Sequence, residues 1–251
     1  MKMNIMKTVY ITFSANKAGQ PATSLSVKIH NKTTDLKTCT NNSCTTCKKL
    51  NKVPYARYLG VQFDQRLRWN EHIQSVNKKI RTLIYFFKII AGFATKKLMK
   101  NVYFALAQSL IQYGIIVWGS AAKKHLNTLY VTQKYILKVI AKKPKMYSTD
   151  LLFQDLNLLK VESIWKLELL KFAAKNKIIC VEQSKYNTRG NEEMMIKIIK
   201  SKTDLANKCV KNCCIREYNK LPIELKKLIV QNGSYSYSFI GKKLKKYFLD
   251  F

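Results

Sequence analysis

A chain of 251 residues with 47% hydrophobic content is long and apolar enough for one substantial core or two small ones, which excludes a disordered polymer. Its 46 Lys and Arg against 14 Asp and Glu leave a formal net charge of +32, a field that attracts polyanions, although a lysine-rich coding bias shares the cause. The seven cysteines, clustered as Cys39, Cys44, Cys47 and Cys209, Cys213, Cys214 with Cys180 alone, do not read as a secreted disulfide framework.

The opening stretch MKMNIMKTVYITFSANK has no long apolar core and no small-residue cleavage site, so an intracellular protein is expected, cytoplasmic or nuclear. Val9, Ile11 and Phe13 alternate with polar residues, as do Leu25, Val27 and Ile29, and then Leu59, Val61 and Phe63. Each run is the signal of a half-buried strand, and together they predict a small antiparallel layer. Between Thr33 and Pro54 the polar, cysteine-bearing stretch reads as a flexible insertion. From Asn70, a plausible N-cap, the period changes to that of a helix through Ile73, Val76, Ile80, Leu83, Ile84, Phe87 and Ile90.

Helical spacing continues from Leu98 to Tyr113 and from Leu126 to Ile140. VYFALAQSLIQYGIIVWG is slightly short for a membrane span and carries Gln108, Ser109 and Gln112, so it reads as a buried core helix. Pro144 and YSTD break the chain and cap LLFQDL. Further helices are predicted near Ser163–Ile179, Met194–Ser201, Pro222–Val230 and Ser236–Leu249. The reading is an α+β fold, mainly α. Residues 1–69 hold the strand layer, with the insertion near 33–54, residues 70–143 a helical bundle, and residues 144–251 the C-terminal helices.

MNIMKTVYITFS, YARYLGVQFDQRLRWNEHI and VYFALAQSLIQYGIIVWGSA, followed by YNTRG, YNKLPIELKKLI and SYSFIGKKLKKYFL, resemble in this order the C-terminal half of reverse transcriptases of non-LTR, LINE-like retrotransposons. The resemblance implies that Asn4, Lys7 and Thr8 match an N-x-x-K-T motif whose lysine lies near the incoming nucleotide. It implies that Tyr58, Leu59, Gly60 and Val61 match the primer-grip hairpin, that 70–143 is thumb-like, and that the partner is an RNA and DNA template–primer duplex. The resemblance also implies that the parent polymerase uses Mg2+. For this chain itself the reading expects no cofactor, no membrane and no small-molecule substrate.

Nucleotidyl transfer needs paired divalent ions held by closely placed carboxylates. No Asp–Asp pair occurs, and Asp64, Asp150, Asp155 and Asp204 are isolated. The chain therefore reads as a fragment that keeps template–primer binding elements without the catalytic aspartates. A stand-alone basic helical protein derived from such an element is the alternative. His30, His72 and His125 are far apart, and His72, in the first helical turn, reads as capping or exposed. Cys39, Cys44 and Cys47 give three soft ligands that would need a fourth, such as His30, to close a zinc site, against the simpler reading of free thiols in a loop.

Lys78, Lys79, Arg81, Lys88, Lys96, Lys97, Lys100, Lys123 and Lys124 fall mainly outside the apolar stripes and predict a basic face that would track phosphates. Arg66, Arg68 and Trp69 place an aromatic beside two guanidiniums, suited to stacking on nucleic acid or, for Trp69, to anchoring the core. The basic tail GKKLKKYFLDF, with Phe239, Leu244 and Phe248 on one side, either docks on the body or lies on an anionic membrane.

Overall fold

Short alternating runs cannot build a wide sheet, and among the described residues the N-terminal strands form three separate pairs. The computed structural model describes residues 7–14, 26–30, 47–179, 194–198, 202–230 and 236–250. Strand β1 (Val9–Tyr10) runs parallel to β4 (Asn51–Lys52), and β2 (Lys28–His30) is antiparallel to β3 (Cys47–Lys49). Strand β5 (Tyr55–Tyr58) is antiparallel to β6 (Val61–Asp64), with Tyr55 opposite Asp64 and Tyr58 opposite Val61.

Two expectations need correction here. β3 and β4 lie inside the stretch read as an insertion, because Lys28 to His30 find their backbone partners there. Val9 and Phe13, predicted on a buried side, are 43% and 52% exposed; a two-residue parallel pair is too short to present an alternating face. Leu25 and Asn4 lie outside the described residues.

The chain divides into two compact units, Met1–His72 and Ile73–Phe251. Helix α1 (Asn70–Ile90) begins one residue earlier than an Asn70 cap would place it. Its buried positions Ile73, Val76, Ile80 and Phe87 follow the helical spacing, leaving Lys78, Lys79, Arg81 and Lys88 exposed.

The second predicted helix is interrupted. α2 (Lys96–Val102), capped by the Thr95 hydroxyl accepting from the Leu98 N–H at 3.3 Å, passes through a π-helical turn (Tyr103–Gln108) into α3 (Ser109–Gln112). Gly114, at φ 63°, then allows a left-handed bend before α4 (Ile115–Trp118). Trp118 is fully buried, and its indole donates to the Tyr113 carbonyl at 3.0 Å.

Next come α5 (Lys123–Ile140), α6 (Thr149–Leu156) and α7 (Val161–Lys175). α7 buries Val161, Ile164, Leu167, Leu169, Leu170, Ala173 and Ala174, positions that lie all round its axis, as a central helix requires. It packs against α3, α4 and α5 and against the C-terminal helices α9 (Val210–Asn219) and α11 (Tyr237–Leu249). A single core thus joins helices on both sides of Pro144.

Gln133 of α5 is fully buried with its amide satisfied: it donates to the Tyr103 hydroxyl at 2.8 Å and the Leu159 carbonyl at 2.9 Å, and accepts from the Val161 N–H at 3.2 Å. The π turn and the start of α7 are tied together through this one side chain.

α8 (Asp204–Asn207) and α9 were not predicted, because α9 buries Asn212 and Glu217 and so lacks a clean apolar stripe. Conversely, residues 194–198 are not helical. The Asn219 side chain accepts from the Ile196 N–H at 3.0 Å and donates to its carbonyl at 2.8 Å, standing in for a strand partner. α10 (Ile223–Val230) follows Pro222, and the Ser236 hydroxyl caps α11. Ile240 and Leu244 of α11 are buried, and the helix packs on α7 and α10, which is the docking reading of the tail. The fold is α+β, mainly α, with a small strand layer at its N-terminal end.

Candidate functional site

The β5–β6 hairpin turns through Leu59 and Gly60 with φ of 45° and 81°, both positive as the two-residue hairpin turn of matching twist demands. Glycine is at home there. Leucine is not, since its Cβ crowds the carbonyl in the left-handed region. Leu59 is nevertheless 72% exposed and Tyr58 67%, so the tip shows a strained apolar residue beside an aromatic one. Gly60 is exposed with them, whereas Val61 is buried at 7% and anchors the hairpin from beneath.

The turn from β6 into α1 is organised by Asp64. One carboxylate oxygen accepts from the Arg66 and Arg68 N–H groups at 3.0 and 3.1 Å, and the other from the Trp69 N–H at 2.8 Å. This clasp holds Leu67 and Trp69 at φ 50° and 65°. Trp69 is buried and meets Phe63 edge to face at 5.3 Å, which makes it the core anchor rather than a stacking platform. Arg68 is exposed and Arg66 half-buried. His72, read as capping or exposed, is instead buried at 4%, and its Nδ1 accepts from the Gln62 N–H at 3.3 Å. An imidazole that ties a helix start to a hairpin strand is withdrawn from solvent by that role.

In the helical unit, Lys96, Lys97, Lys123 and Lys124 are exposed in addition to the cations of α1. Lys100 is half-buried, and its pKa is lowered by burial first and then by Lys245 and Lys96. The Phe104 ring lies 6.0 Å from the Lys100 ammonium and 5.5 Å from that of Lys245, so cations of α2 and α11 meet over one aromatic. That cluster escaped sequence reasoning because its members are far apart in the chain. Tyr85, Ile89 and Phe93, 73%, 50% and 77% exposed, were missed as well; their offset from the Ile80–Phe87 stripe was the available signal.

Lys7 is exposed. Cys39 and Cys44 lie outside the described residues, and the backbone register of β2 and β3 sets His30 opposite Cys47. Among the described residues no three His, Cys, Asp or Glu side chains are grouped to hold a metal. No helix among the described residues is long and apolar enough to cross a membrane.

Comparison with curated proteins gives 28% identity over 116 residues to the probable RNA-directed DNA polymerase from transposon BS of Drosophila melanogaster. It gives 31% over 108 residues to the RNA-directed DNA polymerase from mobile element jockey of Drosophila funebris. The chain is similar to polymerases of non-LTR mobile elements. The probable polymerase from transposon X-element of Drosophila melanogaster matches at 24% over 136 residues. These polymerases are matched over 45%, 42% and 48% of this chain but only 13%, 12% and 15% of their own lengths. The chain thus corresponds to a small part of each. No protein-family model and no solved structure matches.

Proposed function

We propose that this chain is part of an RNA-directed DNA polymerase of a non-LTR element and that it holds a template–primer duplex without itself joining nucleotides. The similarity to the BS, jockey and X-element polymerases carries this reading. Two surfaces support it. The exposed Tyr58–Leu59–Gly60 tip is a strained hairpin shaped to approach a strand end closely, and strain at an exposed apolar tip has no use in packing. The exposed Lys78, Lys79 and Arg81 offer charge to phosphates without reading bases. Lys7 belongs in this reading beside the incoming nucleotide, with Mg2+ and its carboxylates supplied by the rest of the polymerase.

A template–primer with a photoreactive group at the primer 3′ end tests the assignment on the full chain. Labelling is expected on the peptide carrying Tyr58 and Leu59, with no nucleotide incorporated in Mg2+. Labelling confined to residues beyond Ile73 would remove the hairpin from the account, and Mg2+-dependent extension by the pure chain would overturn the non-catalytic reading.

A further inference from the structure

The outer face of α1, opposite the buried stripe of Ile73, Ile80 and Phe87, is not uniformly polar. Tyr85 and Ile89, one turn apart, stand in solvent there, and so does Phe93 in the turn that follows. On α5, Val131 and Tyr135 are likewise exposed. Lys88, three residues beyond Tyr85 and so its neighbour on the helix surface, places its ammonium 5.6 Å from the centre of the Tyr135 ring. One cation thus links exposed aromatics of two helices that are far apart in the chain.

The charge around these rings has one sign. α1 carries Lys78, Lys79, Arg81 and Lys88 against a single carboxylate, Glu71, which lies in its first turn at the other end of the helix. α5 carries Lys123, Lys124, Lys134 and Lys138 and no Asp or Glu at all. None of these cations makes an ion pair among the described residues. The complement of such a face is a polyanion. A membrane-facing helix would need an unbroken apolar side, and here Arg81, Thr82 and Lys88, all exposed, interrupt it. The bases of a duplex are stacked on one another and hide their faces, so exposed rings flanked by cations suit an unpaired strand.

We propose that Tyr85 and Tyr135 form a stacking platform for bases of a single-stranded nucleic acid, with Lys88 holding a phosphate between them. The platform presupposes a chain that handles nucleic acid, as proposed above, and extends the ligand from a duplex to one with an unpaired overhang.

Binding of the full chain is measured for a blunt RNA–DNA hybrid, for the same hybrid with a single-stranded RNA overhang, and for the overhang strand alone. The overhang is expected to tighten binding. Tyr85→Ala with Tyr135→Ala should weaken binding of the free strand and of the overhang hybrid about tenfold, and leave the blunt hybrid unchanged, which also reports that the variant is folded. Because no charge is removed, the slope of log affinity against log salt should stay that of the wild type. Tyr85→Phe with Tyr135→Phe keeps both rings and should bind as the wild type does. Equal weakening on all three ligands, weakening on none, or no binding of the free strand by the wild-type chain overturns the platform. So does an Ala variant that loses binding to phosphatidylserine vesicles but not to the free strand, which assigns the rings to a lipid surface. Ring-dependent binding of the free strand without binding of the blunt hybrid would sink the duplex reading and leave the platform standing.

Discussion

Removing the Asp64 carboxylate takes the acceptor from three backbone N–H groups at once, in a turn where two non-glycine residues are held at positive φ. Asp64→Ala is expected to cost about 1.5–3 kcal/mol in urea denaturation of the full chain, the scale of hydrogen bonds to a charged acceptor. A smaller loss than about 0.5 kcal/mol would mean that the clasp is not what holds the turn. In the helical unit, burial pushes the Cys214 thiol and the Tyr218 hydroxyl up to about 12 from ordinary values of 9.0 and 10.0. Both stay protonated in the fold at a pH where the unfolded chain has lost those protons. Stability is thus fully present below pH 9 and falls as pH rises toward 12, by up to about 1.4 kcal/mol per pH unit for each group. The Tyr218 hydroxyl has no hydrogen-bond partner among the described residues. Tyr218→Phe is therefore expected to hold or raise stability at neutral pH and to flatten the alkaline loss above pH 10, read from denaturation curves across pH. A stability loss at neutral pH would show that the hydroxyl is satisfied.

The hairpin is where an element's stability and its use should part. Leu59 at φ 45° breaks a local rule that Asn or Gly would obey. Leu59→Asn should leave stability unchanged or raise it by up to about 1 kcal/mol while weakening binding to a template–primer. If binding is unaffected, the tip has no role in holding nucleic acid. This element also shows what was legible beforehand. Alternation located β6 and the change of period located α1, but Leu59 was assigned to a strand, because apolar spacing does not report a turn occupied by a bulky residue. Periodicity likewise traced α5 and α11, whose buried residues form one stripe. It failed at α9, where Asn212 and Glu217 face inward, and at residues 194–198, where a side chain from Asn219 replaces a backbone partner. The Lys100–Phe104–Lys245 cluster depends on contacts between distant segments, for which no local pattern exists.

At the scale of the whole molecule, a net charge of +32 makes nonspecific attraction to any polyanion certain to contribute, so affinity alone cannot identify an interface. The dependence of affinity on salt is more discriminating, because each phosphate contact releases counterions and adds about 0.9 to the slope of log affinity against log salt. If the exposed Lys78, Lys79 and Arg81 of α1 hold the duplex, their loss must be visible in that slope above the background of the remaining charge. The most direct measurement is a salt titration of the full chain binding an RNA–DNA hybrid, compared with the triple variant Lys78→Ala, Lys79→Ala, Arg81→Ala. The account predicts a steep wild-type slope, reduced in the variant by about 2 to 3, with weakening that is even across hybrid sequences. An unchanged slope in a folded variant, or no binding by the wild-type chain at moderate salt, would contradict it.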